Sequence, residues 1–458
     1  MLVRICRLVA IGLSLILVFS LSMIAAYTLP QGPVKRHVAV SLTELAAEGH
    51  PYRPLFGLYS LMPDNFTDSL MLNQAVAAGD MSPVKASFGN YMRIVPAPNG
   101  DPSPIDSLRA ALDGRGELTS YSRYWHGYQV ILRPLLLLLD YSAIRWLNSL
   151  MLSLSVLAVL VLLRYRLNLH TALAFLLALA SAGIVMVPIS MQFCAVFYLA
   201  MAGMAAVCYG VDGDGTFRLD LETFLVLGAC TSFLDLLTAP VLTLGMPLAV
   251  LTLVRMRAHS TSSLRGQFVH FCRVSFVWGV GYAGTWVAKW CLSSAILGHS
   301  LFAEAAESVA TRLNGDAAGV AVSRGGAIVR NVAMLFPLFG LDNTGNARWT
   351  AVATLCALPA VALLLGILFL VRHLRQDAGR KCVAALLPVA ALPFLWYVVV
   401  ANHSYVHFWF TYRSLMVTVF TVAASYCYLL DQEYLSVLKE RVESHLRGSA
   451  ARQRRNLT

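Results

Sequence analysis

Charge is what this sequence has least of. Only 13% of its 458 residues are Asp, Glu, Lys or Arg, against about a quarter in an ordinary soluble domain. Apolar residues make up 58% and mean hydropathy is +0.65, which excludes a soluble enzyme with a charged surface and points to repeated membrane crossing. Acidic residues are scarcest: 24 against 35 basic, for a net charge of +11. That excess forms no single patch, so no nucleic-acid module is expected; the basic residues lie in short clusters between apolar runs, where they set membrane orientation. Cysteines placed for disulfides are missing too. Cys6, Cys194, Cys208, Cys230, Cys272, Cys291, Cys356, Cys382 and Cys427 fall in apolar runs or on the side assigned to the cytoplasm, so free thiols are expected.

A spanning helix needs about 20 mostly apolar residues. Runs at 5–28, 143–163, 171–189, 192–209, 222–236, 239–254, 274–296, 350–371, 383–401 and 411–430 predict an all-α polytopic membrane protein of about ten transmembrane helices. The first run follows Arg4 and Arg7 and is too long for a signal-peptide core; "MIAAYTLP" is a poor cleavage site, so a retained helix is expected. The expected organisation is a first helix (1–29), a large extracytoplasmic loop with interfacial helices (30–141), helices two to seven (142–296), a second extracytoplasmic loop (297–349), helices eight to ten (350–431) and a basic tail (432–458). An N-terminus inside also puts "RYR" (164–166), 255–273, "RHLRQDAGRK" (372–381) and the tail inside. The acidic loop 211–220 is the exception. The expected location is the cell's inner membrane, with both termini cytoplasmic and the tail near anionic lipid.

Three polar stretches stand out, all on the expected outer side. "SRYWHGYQVILRP" (122–134) precedes an apolar run too short to span, which fits an interfacial helix. Arg123, His126 and Arg133 would then face the headgroup layer, anchored by Tyr124 and Trp125; an aromatic belt with snorkelling arginines accounts for the same residues. "NHSYVHFWFTYR" (402–413) offers His403 and His407 four apart, with Arg413. Two histidines without a nearby carboxylate give little indication of a divalent metal, and no cofactor is expected. "MPDNFTDSLML" (62–72) places Asp64 and Asp68 four apart at the head of a helix-like run. Either is a candidate general base, and capping by Thr67 or Asp68 is the structural alternative. Lys289, inside an apolar run, is costly in a membrane and a candidate anion ligand or a snorkelling side chain. Asp235 marks an outer turn, and Arg324 and Arg330 flank a glycine pair in the second loop.

This arrangement resembles the GT-C superfamily, polytopic membrane glycosyltransferases that use polyprenyl-phosphate-linked sugars, in a bacterial member. The resemblance covers most of the chain and rests on topology: one helix, a large outer loop with an acidic residue, interfacial helices and a second loop after helix seven. It implies a loop aspartate as base, which maps to Asp68 or Asp64, and a late outer loop bearing His and Arg, which maps to 402–413. It implies a polyprenyl-phosphate sugar donor held by Arg, Lys and His, and an acceptor that is a glycan, lipid or protein. Inversion at the anomeric carbon is implied too. The loop has no adjacent acidic pair early on, so Asp64 and Asp68 stay alternatives. With no large soluble C-terminal domain expected, the resemblance is not to the oligosaccharyltransferase type. A transporter or lipid flippase, or a non-catalytic envelope assembly protein, are the competing expectations. Matching inverted halves, a common transporter signature, are not seen.

Overall fold

The computed structural model describes residues 2–49, 52, 54, 55, 58–96, 103–258, 263–314, 322–336, 347–373 and 377–430. The expected turn near 97–102, loop residues 315–321 and 337–346, and the tail 432–458 lie outside the described residues.

The chain opens with α1 (Leu2–Tyr27), then a layer of short elements: α2 (Gln31–Glu48), α3 (Asn65–Ala77), α4 (Pro83–Gly89), β1 (Met92–Ile94), α5 (Pro104–Leu112), β2 (Glu117–Thr119) and α6 (Gln129–Leu135). The two strands pair antiparallel, Arg93 opposite Leu118. The bundle follows: α7 (Tyr141–Arg166), α8 (Leu169–Ser181), α9 (Met191–Gly210), α10 (Asp220–Leu234), α11 (Val241–Ala258) and α12 (Leu264–Leu297). Next come α13 (Phe302–Asn314), α14 (Arg324–Ala333), α15 (Ala347–His373), α16 (Asp377–Val399), α17 (Ala401–Val406) and α18 (Phe408–Thr411). A 3-10 turn, Tyr412–Leu415, joins α18 to helical residues that run to 430.

Among the described residues six helices are long and apolar enough to cross a membrane: α1, α7, α9, α11, residues 379–399 and residues 408–430. The outer faces agree. On α7, Trp146, Leu150, Leu154, Leu157 and Val161 are exposed at helical spacing, while Ile144, Leu152, Val159 and Leu163 are buried. Such a stripe is stable against lipid and a liability in water. The chain is a nearly all-helical membrane protein.

Two of the expected runs take other forms. The 171–189 run is broken: α8 has 13 residues and ends before Gly183, whose φ of 62° starts a tight turn toward Pro188. The run at 222–236 is a 15-residue helix stopped at Asp235, and the runs at 274–296 and 350–371 lie inside α12, 34 residues long, and α15. Apolar composition was continuous across the break at Gly183, so it concealed a turn that only backbone conformation exposes.

Helix α11 is buried nearly all round and forms the bundle's centre. Helices α10 and α12 touch backbone to backbone. A Cβ on Gly228 would lie 2.1 Å from the Trp278 carbonyl oxygen, and one on Gly281 would lie 2.3 Å from that of Leu225. Small residues permit this close approach in membrane bundles, where no hydrophobic force drives helices together. The α2–α6 layer has its own core, in which Val34, Val38 and Leu45 of α2 meet Leu72 of α3, Leu108 of α5 and Leu132 of α6. Cysteines among the described residues are free thiols.

Candidate functional site

Asp64 is the N-cap of α3. Its Oδ1 accepts from the Thr67 amide (3.0 Å) and its Oδ2 from the Thr67 hydroxyl (2.8 Å) and from Gln192 at the start of α9. Capping therefore belongs to Asp64, not to Thr67 or Asp68. Asp68, one turn on, is fully buried. Its Oδ2 meets the Tyr141 hydroxyl of α7, and its Oδ1 is buried with no hydrogen-bond partner.

The Tyr141 hydroxyl also lies 3.1 Å from the Ile189 carbonyl. One hydroxyl proton cannot serve both acceptors. A proton on Asp68 resolves this, because the carboxyl then donates to Tyr141 and Tyr141 donates to Ile189. The carboxyl pKa values agree. Burial raises Asp68 to about 8, opposed by its bond to Tyr141, the charge of Arg145 and the backbone amide of Gln192, with Asp64 adding repulsion. Burial also raises Asp64 to about 6, opposed by Thr67, Gln192 and the positive charge of Arg413.

Arg413 approaches from the turn after α18. It is fully buried, its guanidinium 4.2 Å from the centre of the Phe193 ring. Nη1 donates to the Trp409 carbonyl (3.2 Å), and Nε and Nη2 have no partner. A buried, partly unpartnered carboxyl and guanidinium are costly unless something later satisfies them. Arg145 of α7 completes the surroundings. It donates to the Ile189 carbonyl (2.7 Å) and to Asn65 (3.1 Å), pairs with Glu48 of α2 and lies over the Tyr141 ring at 4.3 Å.

The other sequence candidates have protein partners. Arg133 donates from Nε to the Ala26 carbonyl in the last turn of α1 (2.8 Å) and from Nη1 to Ala75 in the last turn of α3, while its Nη2 has no partner. Lys289 donates to the Ser87 and Phe88 carbonyls at the end of α4 (3.4 and 3.0 Å) and to Asn90 Oδ1 (2.6 Å). Both cations thus sit at helix C-termini, where orphan carbonyls and the dipole attract positive charge.

His126 has φ 54°; Nε2–H donates to the Tyr121 carbonyl (3.0 Å), and Nδ1 is 2.9 Å from the Tyr128 hydroxyl. Burial and the Lys289 charge push it down to about 3, so it is neutral. The Tyr128 hydroxyl reaches Gln74 (2.5 Å), linking this cluster to α3 six residues beyond Asp68, or about 9 Å along the helix. Trp125 is buried rather than at a headgroup surface. Its Nε1 donates to the Thr285 carbonyl (2.7 Å), and its ring packs on Phe19, Phe88 and Phe233.

Arg123 pairs with Glu304 (3.0 Å) and stacks on Tyr121. Arg330 donates to the Tyr405 carbonyl (3.0 Å) and lies over the Tyr405 and Phe408 rings, pinning α14 to α17. Arg324 begins α14 and is exposed. His403 is buried with Nε2 2.9 Å from the Leu237 carbonyl, and its ring is 4.7 Å from that of His407. Burial and the charge of Arg312 lower His407 to about 4. No group of three or more His, Cys, Asp or Glu side chains gathers as a metal site among the described residues.

Asp64, Asp68 and Arg413 therefore share one neighbourhood. Tyr141, Arg145 and Gln192 join them without having been singled out from the sequence. Arg145 was visible as a charge one turn inside an apolar run, the same signal that marked Lys289. Gln192 and Tyr141 carry no such signal. No protein-family model, curated protein or solved structure matches this chain.

Proposed function

We propose that the chain is a membrane glycosyltransferase that moves a sugar from a polyprenyl-phosphate donor to an extracytoplasmic acceptor. The observation that carries this reading is the buried Asp64, which lies beside both Asp68, whose Oδ1 makes no close hydrogen bond, and the charge of Arg413, whose Nε and Nη2 are without partners. Once Asp68 has lost the proton it holds against Tyr141, the acceptor hydroxyl attacks the anomeric carbon as its own proton passes to the Asp68 carboxylate. The sugar–phosphate C–O bond breaks, and the phosphate leaves with its added negative charge, which Arg413 holds through the two free donors. A carboxyl whose pKa lies near neutrality suits the base role, since it takes a proton without being too weak to hold one. Asp64 stays as the cap that fixes the first turn of α3.

In this reading the chain lies in the inner membrane with both termini cytoplasmic. The supporting observation is a basic end remote in sequence from the site. There Arg4 and Arg7 lie beside Asp220 and Glu222, Arg257 bonds the Leu167 carbonyl, and Arg166 bonds that of Val211.

A second reading is favoured by the depth of the carboxyls, which are at most 1% exposed: a transporter that couples substrate movement to protonation of Asp68 through Tyr141. Purified protein given synthetic polyprenyl-phosphate monosaccharides in native membrane extract separates the two. The transferase releases free polyprenyl phosphate, and Asp68→Asn and Arg413→Gln each lower that release about a hundredfold at unchanged membrane abundance. No release above a protein-free control, or equal release by both variants, rules the transferase out.

A further inference from the structure

A second pocket, of about 420 Å³, lies between α12, α13 and α16 and contains none of the residues of the Asp68 site. Tyr282, Trp286 and Trp290 of α12, Ala305 and Leu313 of α13 and Trp396 of α16 line it. Arg123 and Arg312 contribute their stems and not their charges. The Arg123 guanidinium pairs with Glu304 (3.0 Å) and lies over the Tyr121 ring, and that of Arg312 bonds Ser308 of its own helix (3.1 Å to the carbonyl). Trp290 Nε1 donates to the Arg123 carbonyl (3.0 Å), and the Trp286 and Trp396 nitrogens are closed off by packing. The surface offered to an occupant is almost entirely carbon.

That chemistry decides among occupants. A water in a cavity needs about two to four polar partners, which these walls do not supply. An ion would lose its hydration with nothing to replace it. A hydrocarbon chain needs only apolar walls, and it gains dispersion contacts along the whole lining. The mouth says where such a chain comes from. On α16, which lies in one of the spans, Leu387, Leu395 and Val399 are 60, 56 and 57% exposed along one helical face. On α12, Phe276, Val280 and Val287 form a second exposed apolar row. Val287 and Val399 are also wall residues, so both lipid-facing rows end in the cavity. None of the lining belongs to the Asp68 site, so the chain is taken from the surrounding bilayer and not from a donor whose phosphate lies at Arg413.

We propose that this cavity holds one acyl chain of a bilayer phospholipid, inserted between α12 and α16 and packed against α13. The inference goes beyond the transfer reaction and does not depend on it, because occupancy is read without turnover. The full chain in dodecyl maltoside is titrated with phosphatidylcholine brominated at mid-chain, whose bromines quench an indole that they touch. The expected result is a saturable loss of tryptophan emission, reversed by unbrominated phosphatidylcholine. Ala305→Leu fills the cavity and should weaken the saturable part about tenfold, the displacement of about two methylenes from the walls. Ala283→Leu, at the exposed mouth, should weaken it a few-fold at an unchanged melting temperature, which preserves the test if Ala305→Leu folds poorly. Trp146→Phe, on the lipid-facing side of α7, should reduce the total quenching and leave the midpoint in place. Quenching that never saturates, a saturable part lost in Trp146→Phe, or wild-type affinity in folded Ala305→Leu or Ala283→Leu protein overturns the proposal. Displacement by a polyprenol at lower concentration than by phosphatidylcholine overturns it too, by assigning the cavity to an isoprenoid chain.

Discussion

The two ends of the bundle contain the same kinds of side chain in opposite states. Where α1 begins, Arg4 pairs with Asp220 (2.5 Å) and Glu222 (3.3 Å), Arg7 pairs with Glu222, and His270 bonds Asp220 (2.8 Å). Burial works to raise Asp220, but hydrogen bonds from His270, the Leu221 amide and Arg4 outweigh it and hold the carboxyl below its ordinary value. Around α3, Asp68 is raised and keeps an oxygen unpartnered, and Arg413 keeps two nitrogens unpartnered. At one end each of these charges meets an opposite one, though Nε of Arg4 is left without a hydrogen bond. The other has left them for something else to answer, and that difference, not the mere presence of charge, marks the site.

Substitutions test the contrast most sharply where the charges are unanswered. Arg413→Gln should lower polyprenyl-phosphate release about a hundredfold or more with normal membrane abundance, whereas Arg7→Gln, at the satisfied end, should leave the rate near wild type. Asp68→Asn should lose activity on a similar scale, about a hundredfold, and gain stability in a pH-dependent way. Because folding raises this pKa from 3.8 to about 8, its contribution to stability is full below 3.8 and lost as pH rises to about 8. The amide does not titrate, so melting curves should show the variant more stable than wild type at pH 9 and little different at pH 4.

Smaller effects follow for the structural charges. Lys289→Met strands the carbonyls of Ser87 and Phe88 and should cost about 2 kcal/mol, seen as a lower melting temperature. Asp220→Asn should give the smallest change, about 0.2–1 kcal/mol for a partly exposed pair, with the pH sign reversed. Folding lowers the Asp220 pKa, so its contribution is present above 3.8 and lost as pH falls through the folded value. The melting-temperature gap should be seen at pH 7 and close on acidification.

Much of this was legible in the sequence because charge is conspicuous in so apolar a chain. Asp64, Asp68 and Arg413 stood out for that reason, and α3 was announced by its capping pattern. The roles of Arg133 and Lys289 were not legible. Their partners are backbone carbonyls at the ends of α1, α3 and α4, up to about two hundred residues away, and every residue carries a carbonyl. Tyr141 and Gln192 were hidden for a related reason, since a tyrosine or glutamine at a helix start is ordinary until the fold turns it toward a carboxyl.

The account stands or falls on Asp68 acting as a base that titrates near neutrality. The direct measurement is the rate of polyprenyl-phosphate release by purified wild type and Asp68→Asn from pH 5 to pH 9, at fixed ionic strength. The account predicts a wild-type rate that rises through its half-maximum near pH 8 and is still levelling off at pH 9, and a variant rate that is low and flat. A wild-type profile without that rise, or a variant that follows it, would contradict it.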